Sequence, residues 1–160
     1  MAKFQMGIVL NLDENETARV SDGASAVVST QLTKLDKGKF GKLIGDSQYG
    51  LCAFGDQIEA LFVTCDDVAP ADGFNLGSVQ DDGRIKVTLD GLQGTPGTGT
   101  VAVGDYLVCG TVVARGTALS GPPKACKATA AANTLLFKWR VVSILTGSGG
   151  VGSVAVIDSV

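Results

Sequence analysis

The side chains able to do chemistry in this 160-residue sequence are four cysteines, a scatter of turn carboxylates and one small group of lysines; there is no histidine. Lack of histidine removes the commonest general base and metal ligand, and with them any Ser-His or Cys-His nucleophile pair. Cys52, Cys65, Cys109 and Cys126 contain no Cys-x-x-Cys pair, so zinc finds no close ligand set. Cys52, Cys65 and Cys109 fall in strand-like runs, where buried thiols behave as small apolar groups. Reduced, structural thiols are the expectation, against a disulfide or a metal site. Asp66, Asp67 and Asp72 share a loop with Pro70 and Gly73, which invites calcium. The Asp-x-Asp-x-Asp-Gly order and the closing bidentate Glu of a calcium loop are missing, so no metal is expected. Residues 91–100, GLQGTPGTGT, are Gly-rich but lack the Lys-Ser/Thr ending of a phosphate loop, and no helix pattern follows. Lys37, Lys39 and Lys42, interleaved with Gly38, Phe40 and Gly41, are the basic cluster. They read either as a contact for a phosphate or acidic partner or as a solvated turn. Asp and Glu otherwise fall mostly in turns, where carboxylates bond backbone amides, rather than as an acid–base pair. Neither catalytic residues nor a cofactor is expected, and the chain reads as a non-enzyme.

Composition bounds the partners. Net charge is −3 with a pI of 4.8 and no basic stripe, so nucleic acid is not an expected partner. Apolar residues make up 45% and charged residues 18%. About a quarter charged is usual for a soluble domain, so extra surface buried against another chain is expected. No run approaches the ~18 apolar residues of a membrane-spanning helix, and no membrane partner is expected. The opening MAKFQMGIVLNLDE is interrupted by Gln5 and Asn11 and lacks a small-residue cleavage site; it does not read as a signal peptide, and synthesis in the cytoplasm is the expectation.

The elements that must position these residues read as strands. Residues 101–113, VAVGDYLVCGTVV, and their echo at 53–60, AFGDQIEA, each place Gly-Asp at the head of an extended run. Gly permits a tight backbone entry, and Asp caps neighbouring amides. The 101–113 run is apolar on both faces and so predicts a strand buried on both. Residues 24–29, 49–54, 58–65 and 74–79 also read as strands, with a possible helical turn at 30–36 capped by Thr30. Asp82-Gly83 gives a hairpin signal before the alternating Ile85, Val87 and Leu89. Residues 124–133 read as a loop or one helical turn. Leu135, Phe137, Trp139 and Val141 share one face of a long strand, with Trp139 in the core. Gly147-Ser148-Gly149-Gly150 then turns the chain into a last strand over 151–157. The fold class expected is all-β, a small barrel or sandwich of roughly eight to ten short strands.

Phe4, Met6, Ile8, Leu10 and Leu12 alternate with Lys3, Gln5, Gly7, Val9 and Asn11, a period-two strand with one apolar face. It reads either as an edge strand of the domain's own sheet or as an arm that adds to a neighbour or partner. The organisation is therefore an N-terminal strand or arm over 1–15 and a single β-rich domain over 16–160. Phe4, Met6, Ile8, Leu10 and Leu12, with Lys37, Lys39 and Lys42, are the candidate partner-binding residues.

From the pattern Val-Ala-Val-Gly-Asp-Tyr-Leu-Val, the stretch Arg115-Gly116-Thr117-Ala118-Leu119 and the closing hairpin across 147–157, the second half resembles the head decoration (cement) proteins of tailed bacteriophages. The low-charge, His-free composition agrees. The resemblance implies a structural virion protein, made in the host cytoplasm and carried on the capsid exterior. Its implied partners are the major capsid protein and further copies of itself, as a homotrimer, with no enzymatic residues. The first half, including residues 31–43, departs from that pattern. Two rival functions remain: a receptor- or glycan-binding β domain of a phage fibre, and a small β enzyme.

Overall fold

Period-two alternation builds the strands. In β6 (Arg84–Leu92), Ile85, Val87 and Leu89 are buried while Arg84 and Lys86 face out, the pattern of a sheet with one wet face. The structure is a computed structural model that describes residues 15–23, 27–65, 73–129 and 138–160. It is all-β, as the alternation predicts.

Five strands close into a barrel: β1 (Asn15–Val20), β2 (Phe40–Gly45), β3 (Gln48–Leu51), β4 (Ala60–Cys65) and β5 (Leu76–Gln80), in the order β1-β3-β2-β4-β5. β5 pairs back to β1, and only the β1–β3 contact is parallel. The interior holds Val20, Leu32, Ala60, Phe62 and Val79. Buried Gln31 and Asn75 tie the 3-10 segment to the start of β5: the Asn75 amide donates to Gln31 Oε1 at 2.8 Å, and Asn75 Nδ2 to the Leu32 carbonyl at 2.7 Å. Both polar side chains thus meet the hydrogen-bond demand of burial.

The second sheet runs β10 (Trp139–Thr146), β11 (Val154–Ser159), β6, β9 (Lys124–Lys127), β8 (Leu107–Cys109), with β7 (Thr95–Pro96) against β6. Its ends curl together through a Tyr106–Arg140 bridge and bonds between the 104–105 backbone and Val141. Inside lie Ile85, Val87, Leu89, Leu107, Trp139, Val141 and Ile157; Phe40, Cys52 and Ile58 from the barrel side complete this core. Each large side chain buried there contributes on the order of 1.5–3 kcal/mol.

Several local expectations are corrected. The 101–113 run is not one long strand: it is a turn, the three-residue β8 and a loop, and Val112 is exposed. Asp82-Gly83 makes a turn but no hairpin, because β5 belongs to the barrel and β6 to the second sheet. Within 24–29, residues 28–30 form a 3-10 turn, and residues 24–26 lie outside the described ones. The other 3-10 turn, Lys34–Asp36, is capped by Thr33 rather than Thr30, in a capping box closed by Asp36. Residues 124–127 are the strand β9. The final hairpin forms as read, β10 pairing antiparallel with β11. The strands described number eleven, several only two to four residues long.

Candidate functional site

The two Gly-Asp stretches fold alike. In Ala53-Phe54-Gly55-Asp56 and Ala102-Val103-Gly104-Asp105, the Asp amide donates to the Ala carbonyl at 3.1 Å in both. The Ala amide donates to the carboxylate, again at 2.8 Å in both. Gly55 (φ 82°) and Gly104 (φ 94°) sit in the left-handed region that the third position of a type II turn requires. Each carboxylate also pairs with a lysine, Asp56 with Lys42 at 2.6 Å and Asp105 with Lys127 at 2.9 Å. The turns are linked through β8: the Gly55 amide donates to the Cys109 carbonyl at 2.8 Å, and the Cys109 amide to the Asp56 carbonyl at 2.9 Å. The sequence echo is therefore one turn used twice, and the first copy pins the barrel to the strand that follows the second.

The predicted basic cluster does not assemble. Lys37 is exposed. Lys39 turns inward, 4% exposed; its ammonium donates to Asp36 Oδ1 and to the Ala114 carbonyl, both at 2.7 Å. Lys42 is held at Asp56, and that bond raises its pKa. Lys39 thus anchors the loop after β8 and presents no charge to a partner. Phe4, Met6, Ile8, Leu10 and Leu12 lie outside the described residues, as do Asp66, Asp67 and Asp72.

All four cysteines are buried thiols. Cys52 and Cys109 share the wall of a cavity of about 30 Å³ between barrel and sheet. The neighbouring Cys109 thiol, then burial, pushes the Cys52 pKa up; burial raises Cys126 to about 12. Thiols so held are poor nucleophiles, since the thiolate is the reactive form. Among the described residues no group of three or more Cys, Asp or Glu side chains is arranged to hold a metal, and no helix is long and apolar enough to cross a membrane.

Carboxylates that could do chemistry are bound into the framework. Asp90, 4% exposed, accepts from the Thr111 amide and hydroxyl at 2.7 and 2.6 Å. Asp22 takes Arg115 at 2.9 Å and the Leu51 amide at 2.6 Å. Sequence reasoning missed Asp36 and Asp90, because a buried carboxylate in a turn looks like any capping residue. The Gly-rich 91–100 stretch is the β6–β7 reversal, closed by the Leu92 amide on the Thr98 carbonyl at 2.9 Å. Trp139 is fully buried in the core, its Nε1 without a partner among the described residues.

Open grooves among the described residues include one of about 360 Å³ beside β7, lined by Leu92, Thr95, Lys127 and Thr129, and two larger ones. One of about 420 Å³ is lined by Leu43, Tyr49, Glu59, Asp81, Lys138 and Val160. Another of about 540 Å³ is floored by Leu35, Leu61, Leu119, Pro122 and Pro123 and rimmed by Lys34 and Lys37. No family model matches the chain, and no curated protein or solved structure was found similar to it.

Proposed function

We propose that the protein is a structural component of a tailed-phage virion: a head decoration protein that binds the outside of the assembled capsid, reinforces the shell and acts as a homotrimer without enzymatic activity. The reading draws on the resemblance of the 101–160 region. The single observation that carries it further is the use of chemical groups as framework. Asp22, Asp36, Asp56, Asp90 and Asp105 are all held by backbone amides and by cations, so these side chains serve rigidity. Large apolar side chains stand exposed on the outside, among them Leu43 and Ile44 in β2, Leu145 in β10 and Val151 in the last turn.

Co-sedimentation with assembled capsids, followed by cryo-electron microscopy of the decorated particle, tests the proposal. Saturable binding to the exterior and a higher temperature of capsid disruption are expected. Capsids that neither bind the protein nor gain stability would overturn it. Phe54, exposed at the tip of its turn, favours one second reading, a receptor- or glycan-binding domain of an appendage; binding to a glycan array without binding to capsids would select it.

A further inference from the structure

The four buried cysteines divide by the core they join. Cys65 packs inside the barrel, and Cys126 packs with Val108 and Ala128 in a small cluster of its own. Cys52 and Cys109 fall together in the main core, with Phe40, Ile58 and Leu107. They come from different sheets: Cys52 follows β3 of the barrel, and Cys109 ends β8 of the second sheet. Backbone bonds hold the two stretches side by side. The Gly55 amide and the Asp56 carbonyl both bond Cys109, at 2.8 and 2.9 Å, and the Cys52 thiol reaches forward to the Gln57 carbonyl at 3.6 Å. Both cysteines line one cavity of about 30 Å³, and the Cys109 thiol is the largest single influence on the ionisation of Cys52.

We propose that Cys52 and Cys109 are a redox pair, which a low-molecular-weight disulfide oxidises to a reversible bond that staples the barrel to the second sheet. In the first step one cysteine, as its thiolate, attacks a sulfur of the small disulfide; a mixed disulfide forms and one small thiol leaves. In the second step the other cysteine displaces the remaining small thiol. Two electrons pass to the oxidant, and the two cysteine protons end on the two thiols released. Cys126 is no rival partner for Cys109. It stands in register with Val108, so its side chain leaves the sheet on the face opposite that of Cys109.

The loop after β8 controls access. Thr111, Val112, Val113 and Leu119 form one wall of the cavity. The loop is tied down along its length: Thr111 to Asp90, Ala114 to Lys39, Arg115 to Asp22 and Gly116 to Asp36. Closed, it shields the thiols and keeps them protonated; opening admits the oxidant. The Arg115–Asp22 tie is partly exposed, and cutting it leaves no fully buried charge. The inference does not rest on the capsid reading.

Oxidation of the full native chain with excess oxidised glutathione, followed by acid quench, alkylation in denaturant and peptide mapping, tests the pair. Loss of two of the four thiols is expected, with a peptide linking residues 52 and 109 that dithiothreitol releases. The thermal midpoint should rise by several degrees, because the bond closes a long loop of the unfolded chain. Arg115→Ala should speed disulfide formation several-fold. Arg84→Ala, which cuts a surface ion pair with Asp158 on the second sheet, should leave the rate unchanged. All thiols intact under conditions that oxidise the urea-unfolded chain would overturn the pair. Linkage of any other two cysteines, or a stable mixed disulfide at either one, would overturn it too. A midpoint that falls on oxidation would overturn the staple, and equal rates in Arg115→Ala and Arg84→Ala would overturn the gate.

Discussion

Lys39 and Asp36 form an ion pair at 2.7 Å whose side chains are 5% and 0% exposed. Asp36 also closes the capping box of the second 3-10 turn, accepting from the Thr33 amide at 2.9 Å, and it accepts from the Gly116 amide at 2.8 Å. The pair therefore joins the entry of β2 to the long loop after β8. Removing one partner leaves the other charged and buried, which costs about 3–5 kcal/mol. Lys39→Met should lower stability by that amount in urea denaturation. Asp36→Leu/Lys39→Met should not recover it fully, because the Thr33 and Gly116 amides stay unpaired; full recovery would show that those amides find other acceptors.

Gly77 separates backbone crowding from loop tolerance. A Cβ there would stand 2.2 Å from the Thr64 carbonyl oxygen, at the β4 bulge. Gly121 has nothing within 4 Å and no positive φ. Gly77→Ala should destabilise by several kcal/mol, on the order of 3 or more. Gly121→Ala should be neutral or slightly stabilising, by at most about 1 kcal/mol. Thermal unfolding of the two variants beside the parent checks the contrast, and equal shifts would refute it.

The fold class was legible because alternation at Ile85, Val87 and Leu89 and the 147–150 turn are local signals. What failed was length and partnering. Residues 101–113 carry strand propensity throughout, yet only Leu107–Cys109 form a strand, with Tyr106 adding a single bridge to Arg140, because beyond Gly110 the chain turns away to bring the Ala114 carbonyl to Lys39. β9 is KACK, whose small and charged residues carry little strand preference; its place between β6 and β8 makes it a strand. The Asp82-Gly83 turn is correct locally but joins two sheets, and no local signal says which sheet takes the next strand. Of the candidate site, the Gly-Asp echo was visible, while the bonds through Cys109 that join its two copies were not. A lysine in a Gly-rich segment reads as solvated, whereas Lys39 is buried because Asp36 and the far carbonyl of Ala114 together take its ammonium.

Tyr49 sets the alkaline limit. Burial and the neighbouring Glu16 carboxylate, 3.4 Å from its hydroxyl, push its pKa up to about 12. In the unfolded chain the phenol ionises near 10, so its contribution to stability is intact below about pH 10 and is lost as pH climbs through 12, on the order of 2–3 kcal/mol. Lys42, raised by Asp56, acts with the same sign: its contribution is present below the unfolded lysine pKa and is lost as pH rises through the folded one. Urea midpoints should therefore fall steeply above about pH 10 and fall less in Tyr49→Phe. Tyrosinate absorbance in Tyr106→Phe should report Tyr49 alone, and ionisation near the ordinary value would contradict the burial argument.

Asp56 and Asp105 make the same turn, but only the first sits across the junction. Removing either carboxylate loses the bond from an Ala amide and a lysine partner, and hydrogen bonds to charged groups contribute about 1.5–3 kcal/mol. Asp56→Ala should cost more than Asp105→Ala, because its turn also carries both backbone bonds to Cys109. It should act on Cys52 as well. That thiol immediately precedes the turn and donates to the Gln57 carbonyl at 3.6 Å, beside the cavity it shares with Cys109. Loosening the turn admits water and reagent to the pair, and a better-solvated thiol ionises more readily. With a thiol-reactive chromophore at neutral pH, the parent and Asp105→Ala should react slowly, and Asp56→Ala several-fold faster, with Cys52 labelled first by peptide mapping. Equal rates in the two variants would mean that the echo turns are interchangeable caps and that the junction is held by the apolar core of Phe40, Ile58 and Leu107 instead.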